Sequence, residues 1–230
     1  MKEAIFLDFD GVIVDSIKEC YKVSFKSSYD IEEFKYDLQY YEKLFYKYRY
    51  LVGPVYQFMS LHKMLENAIN NNLSESESIK LFNKIDLDYS FELKKEYENT
   101  FFKNRSFYKK NMNDWLNLHE LTRFGKTIQQ LEDYRNHYII TTKDKDSVKL
   151  LCDYFSISIR NIFSKDDYNC FGSKGKIISD FIDNSKYESV IFIDDSVKHL
   201  DSVDDKRVKL FFANWGYDVK KNKYKVYDYL

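Results

Sequence analysis

The stretch Phe6-Leu7-Asp8-Phe9-Asp10-Gly11-Val12-Ile13-Val14-Asp15-Ser16 constrains this chain more than any other. An apolar run from Ala4 to Leu7 delivers two carboxylates, Asp8 and Asp10, followed at once by a glycine. On a strand, residues i and i+2 point to the same face, so both carboxylates aim past the strand's C-terminal end. In an open parallel α/β sheet, ligands bind beyond those ends. Neighbouring carboxylates repel each other unless a proton or a cation lies between them. A hard divalent cation with oxygen ligands, Mg2+ foremost, meets that need.

After Ser16 the apolar spacing turns helical for about a hundred residues. It predicts helices over Ile17–Ser27, over Ile31–Leu51 up to the Gly53-Pro54 break, and over Tyr56–Ala68 up to Asn70–Asn72. Ser74-Glu75-Ser76-Glu77 reads as a capping box opening a fourth helix through Phe82, and Phe91–Lys110 reads as a fifth. From Leu116 strands and helices alternate. Thr127–Tyr134 is expected to be helical and His137–Lys143 a strand, with Asp144 capping the next helix. Ile162-Phe163 is read as a short strand, Gly172–Gly175 as a loop and Lys176–Ile182 as a helix. Ser189–Ile193 and Val208–Ala213 are the remaining strands. That alternation predicts an α/β fold with a doubly wound parallel sheet, interrupted after its first strand by an all-helical insertion.

The net charge of −1 offers no global field for nucleic acid or a membrane surface, so neither is an expected partner. One proline and six glycines stand against 21 tyrosines and 19 phenylalanines, a skew we read as codon bias rather than as stacking platforms. Cys20, Cys152 and Cys170 are odd in number and far apart, which suggests neither a disulfide framework nor a zinc site. No signal peptide or membrane-spanning run is legible, and a cytoplasmic protein is expected. The oligomeric state is not legible.

Asp-Phe-Asp-Gly-Val-Ile-Val-Asp-Ser resembles the nucleophile motif DxDGxxxDS of the haloacid dehalogenase superfamily of phosphatases. Residue by residue, the resemblance implies that Asp8 attacks phosphorus to form an aspartyl-phosphate and that Asp10 is the general acid and base. Ile139-Ile140-Thr141-Thr142-Lys143 resembles the second motif. There the Thr141 hydroxyl and a free Thr141 N–H are expected to donate to phosphate, with Thr142 and Gly11 as further phosphate contacts. The third motif is a lysine ahead of a helix. Ser173-Lys174-Gly175-Lys176 offers two, of which Lys174 fits the Lys-Gly pattern and Lys176 stays open. Val190-Ile191-Phe192-Ile193-Asp194-Asp195 resembles the fourth, acidic motif, which implies that Asp194, Asp195 or both join Asp8 and Asp10 around Mg2+. His199 stands near a place where the family often carries a further acidic residue, a departure from its pattern.

The resemblance implies an α/β core of residues 1–16 and 117–230 and a helical cap of residues 17–116. It also implies a Mg2+-dependent hydrolase acting on a small phosphorylated metabolite. A sugar phosphate or a surface-polysaccharide precursor is the expected class, with nucleotides and phosphoglycolate left open. A phosphomutase of the same family, or a non-catalytic binding protein on the same fold, remains open. The family's dehalogenases lack the second aspartate, which is present here as Asp10. In the cap, Arg49 and Arg105 are candidate substrate contacts, because a guanidinium binds anions in a bidentate way that lysine does not.

Overall fold

The computed structural model describes residues 2–218 and 222–228. Strand β1 (Glu3–Leu7) opens the chain, followed by the two-residue strand β2 (Val14–Asp15). Helices α1 (Ile17–Ser28), α2 (Leu38–Tyr48), α3 (Gln57–Asn71), α4 (Glu75–Asp88), α5 (Phe91–Tyr108) and α6 (Met112–Leu116) come next. Then come β3 (Glu120–Leu121), α7 (Arg123–Gln129), β4 (His137–Ile140), α8 (Lys145–Tyr154), β5 (Asn161–Phe163), α9 (Lys165–Phe171) and α10 (Lys174–Asp183). The last elements are β6 (Ser189–Asp194), α11 (Val197–Asp201), β7 (Val208–Phe212) and β8 (Lys225–Val226). The chain divides into an α/β unit, up to Ser16 and from Glu120 onward, and a helical unit, Ile17–His119. The boundary expected at residues 116 and 117 falls short of the second division by the last residues of the helical unit.

In the α/β unit six strands form one parallel sheet in the order β5-β4-β1-β6-β7-β8. The first strand lies in the middle, and chain order runs outward from it in both directions, first to β4 and β5 and later to β6, β7 and β8. The ends of β1 and β6 therefore flank a topological switch point, where ligands bind in such sheets. β1 and β6 are nearly continuous apolar runs because both of their faces are covered. Phe6, Tyr138, Phe163 and Phe181 form the aromatic centre of one face, with the Phe6 and Tyr138 rings stacked 5.1 Å apart.

The helical unit contains no strand among its residues. Its core is aromatic: Phe45, Phe58 and Phe101 stack in sequence at 5.7 and 5.6 Å. The Ser74–Glu77 capping box forms as expected, and its helix runs on to Asp88 rather than ending at Phe82. The helix expected from Ile31 begins only at Leu38. Asp37 accepts the Tyr40 N–H at 2.7 Å as its N-cap, while Phe34 and Tyr36 fold back onto Tyr41. Its last turn tightens into 3-10 helix, Arg49–Leu51.

In the α/β unit the helix expected over Thr127–Tyr134 lies earlier, because the Thr122 hydroxyl caps Gly125 N–H at 2.8 Å. Ser173 caps α10, so the expected loop through Gly175 is already helix at Lys174. No helix among the described residues is long and apolar enough to cross a membrane.

Candidate active site

Asp8 follows β1 directly, with its N–H donated to Ile193 O of β6 at 2.9 Å. That bond fixes the backbone, and the carboxylate is buried. Lys174, the first residue of α10, reaches it completely buried: its Nζ lies 2.7 Å from Asp8 Oδ1 and 2.7 Å from Asp194 Oδ2. Lys176, the other candidate, is exposed. Among the described residues, Asp8 Oδ2 accepts no hydrogen bond.

Asp194, the last residue of β6, is fully buried and heavily engaged. Its Oδ1 accepts Ser196 N–H at 2.8 Å, and His199 Nδ1 lies 3.1 Å from Oδ2. Burial works to raise its pKa, but Lys174 and His199 overcome that and hold it at about 2. For Asp8 the balance reverses. Burial outweighs the pull of Lys174, the charges of Asp194 and Asp10 add to it, and the pKa is pushed up to about 7. Burial also opposes the Lys174 charge, yet Asp194 and Asp8 together push its pKa up. His199 is pushed down by burial and by Lys174, against the opposing pull of Asp194.

Asp10 is half-buried, and the Lys143 ammonium stands 3.1 and 3.4 Å from its two carboxylate oxygens. Lys143 closes the Ile-Ile-Thr-Thr-Lys run, but sequence reasoning gave it no role. Its signal was position: it is the last residue before the Asp144 cap, and its side chain is buried, unlike most lysines of the chain. Thr141 is buried beside it, and its Oγ1 accepts Lys143 N–H at 3.1 Å. The Thr141 N–H, expected to be free for phosphate, is donated to Phe163 O at 2.9 Å as the β4–β5 pairing continues one residue past β4. The hydroxyl proton is what Thr141 has left to offer. Thr142 is half-buried next to it.

Gly11 was expected to contact phosphate, but its N–H donates to Val14 O at 2.8 Å. Its φ is +88°, and a Cβ there would meet the Asp195 carboxylate. Asp195 is buried, and its Oδ2 accepts Tyr217 N–H at 2.6 Å.

Arg105 and Arg49 are both buried inside the helical unit. Arg105 makes a two-pronged pair with Glu19, at 2.6 and 3.1 Å, and lies over the Phe101 ring. Arg49 donates to Val52 O at 2.8 Å and lies over Phe58. These placements lend no support to the substrate contacts expected from the sequence.

The donor set suits a hard divalent cation. Three carboxylates, Asp8, Asp10 and Asp194, gather around two ammonium groups, Lys143 and Lys174, and Asp8 feels the charges of the other two carboxylates. Ligand atoms of Asp8, Asp194 and His199 lie within 4.8 Å of one another.

No protein-family model matches the chain, and no curated protein does. Solved structures do. A predicted phosphoglycolate phosphatase from Haemophilus somnus superimposes with a TM-score of 0.59 at 14% identity, over 93% of this chain and 86% of that one. A haloacid dehalogenase-like family hydrolase from Streptococcus pneumoniae gives 0.52 at 15% identity, over 94% and 86%. A magnesium-bound HAD-hydrolase from Bacillus subtilis gives 0.51 at 13% identity, over 96% and 90%. The fold is therefore that of the haloacid dehalogenase-like hydrolases, with the six-stranded parallel sheet and a helical insert.

Proposed function

We propose that the protein is a Mg2+-dependent phosphatase that hydrolyses a small phosphorylated metabolite through an aspartyl-phosphate at Asp8. The observation that carries this reading is the Asp8–Lys174 pair at the switch point of the sheet, with Asp10 two residues on and held by a second lysine. Lys174 occupies Asp8 Oδ1, so Oδ2 is the oxygen that attacks phosphorus. The P–O bond to the alcohol breaks, and a proton from Asp10 goes to the leaving oxygen. Asp10 then takes a proton from water, whose oxygen attacks phosphorus, and the Asp8–phosphorus bond breaks to release phosphate. Lys174 and the Thr141 hydroxyl stabilise charge on the transferring group. Asp8 and Asp194, with Asp10 and Asp195 beside them, would hold Mg2+, which when bound supplies the positive charge that the two lysines do not.

Phosphate release is tested with a panel of phosphomonoesters, including phosphoglycolate, for which the Haemophilus somnus structure is named. Turnover should require Mg2+, vanish in excess chelator and return on adding Mg2+. Full turnover in chelator overturns the metal requirement.

A further inference from the structure

The residues after β7, Ala213-Asn214-Trp215-Gly216-Tyr217, fold back onto the loop that carries the site. Tyr217 has two separate attachments. Its backbone N–H donates to Asp195 Oδ2 at 2.6 Å. Its phenol oxygen accepts Ser16 N–H at 2.9 Å and lies 3.3 Å from Asp15 Oδ1, to which the hydroxyl donates. Asp15 and Ser16 are the last residues of the α/β unit before the chain enters the helical unit. One residue thus ties the acidic loop after β6 to the point where the chain leaves the sheet.

Its surroundings are built around that tie. Trp215 Nε1 donates to Val12 O at 3.1 Å. A Cβ on Gly216 would run into the Asp195 side chain, and one on Gly11 would meet both the Asp195 carboxylate and the Tyr217 ring. From the other side, Thr122 N–H donates to Ile13 O at 3.0 Å, and β2 pairs with β3. A second observation points the same way: the Ser16 hydroxyl is fully buried and has no hydrogen-bond partner among the described residues. A buried polar group without a partner is costly, so the segment does not hold this conformation for its own sake. It is held there by what grips it.

We propose that Tyr217 is a positioning residue that locks the connection at Asp15–Ser16 to the Asp195 loop, so that the acidic site and the chain's exit from the sheet keep one joint arrangement. The kinetic consequence rests on the phosphatase reading above. The structural consequence does not. Two variants separate the two attachments. Tyr217→Phe removes the phenol contacts and keeps the backbone bond to Asp195. Gly216→Ala pushes on Asp195, and so on the Tyr217 backbone bonded to it, while keeping the phenol itself.

The experiment is amide hydrogen exchange on the full-length protein, combined with steady-state phosphate release. In Tyr217→Phe, exchange at the Ser16 amide should rise about five- to tenfold, the size of one lost hydrogen bond, while amides of β1 and β6 keep their protection. In Gly216→Ala the Ser16 amide should also exchange faster, although no atom in contact with it has changed. The kcat of Tyr217→Phe should fall several-fold with KM changed less than twofold, because the phosphate-facing groups are untouched. Unchanged Ser16 exchange in Tyr217→Phe overturns the proposal, as does protection lost evenly across the unit, which marks simple destabilisation. Faster Ser16 exchange with no phosphate release by the wild type leaves the lock standing and overturns the phosphatase reading instead.

Discussion

In the helical unit a buried carboxylate, Glu19, meets a guanidinium, Arg105, through two hydrogen bonds, with the Trp115 indole alongside. At the ends of β1 and β6 a buried carboxylate, Asp8, meets an ammonium, Lys174, at a similar distance, yet two more carboxylates, Asp194 and Asp10, crowd the same place. The first arrangement is complete as it stands. The second has more negative charge than its own cations match, and the Asp8 pKa near 7 is the mark of it. Charge that a protein buries without matching it costs stability, so it persists where something from outside completes it. The difference separates a pair that holds helices together from a cluster that, on the phosphatase reading proposed above, a cation and a phosphate would complete.

The largest effect expected from this contrast is at Lys174. Lys174→Met should lower phosphate release by about two to three orders of magnitude, the usual size of losing one preorganised charge, with the far-ultraviolet circular dichroism unchanged. A variant that retains a tenth of the activity would put the site's cluster on the same structural footing as the Glu19–Arg105 pair.

At the matched pair the loss should appear in stability. Arg105→Met leaves Glu19 buried and should cost about 3–5 kcal/mol in chemical denaturation, and Glu19→Leu with Arg105→Met should recover most of it. A small stability loss accompanied by a tenfold rise in KM would restore Arg105 as a substrate contact.

The smallest effect is a pH dependence. His62 is buried between Tyr41 OH at 2.8 Å and Ser24 Oγ at 2.9 Å, and burial pushes its pKa down to about 3. Below its ordinary value of 6.5 the unfolded chain binds a proton that the folded helical unit refuses, so stability falls as pH drops from about 6.5 toward 3. Asp8 acts in the opposite sense. Its raised pKa favours the folded state at low pH, and that contribution is lost as pH rises from 3.8 through about 7. Acidifying the metal-free protein from pH 7 to pH 5 should therefore cost the wild type more stability than His62→Gln, by up to about 1.4 kcal/mol per pH unit. Equal slopes would mean that His62 titrates in the folded unit as it does in water.

Much of the site was legible because strand ends announce themselves. An apolar run that stops at Asp8, at Thr141 or at Asp194 leaves a polar group with no structural reason to be there. The Ser74–Glu77 box and the Asp144 cap were legible for the same local reason, since a cap is a short-range pattern. What was hidden depends on distant partners. Lys143 and Tyr217 look ordinary until the fold brings Asp10 and Ser16 to them. The strands β2, β3 and β8 have two residues each, too few to carry a period. Rarity in the sequence says nothing of where a side chain goes, and Arg49 and Arg105 both lie buried against aromatic rings.

The most direct measurement is phosphate release by Asp8→Asn, beside a thermal unfolding scan of the same preparation. If the Asp8 carboxylate oxygen is the nucleophile, the amide cannot replace it. Turnover should then fall below about 1% of wild type while the protein unfolds cooperatively at no lower temperature than wild type without metal. Turnover near the wild-type rate from that folded variant would contradict an aspartyl-phosphate at Asp8.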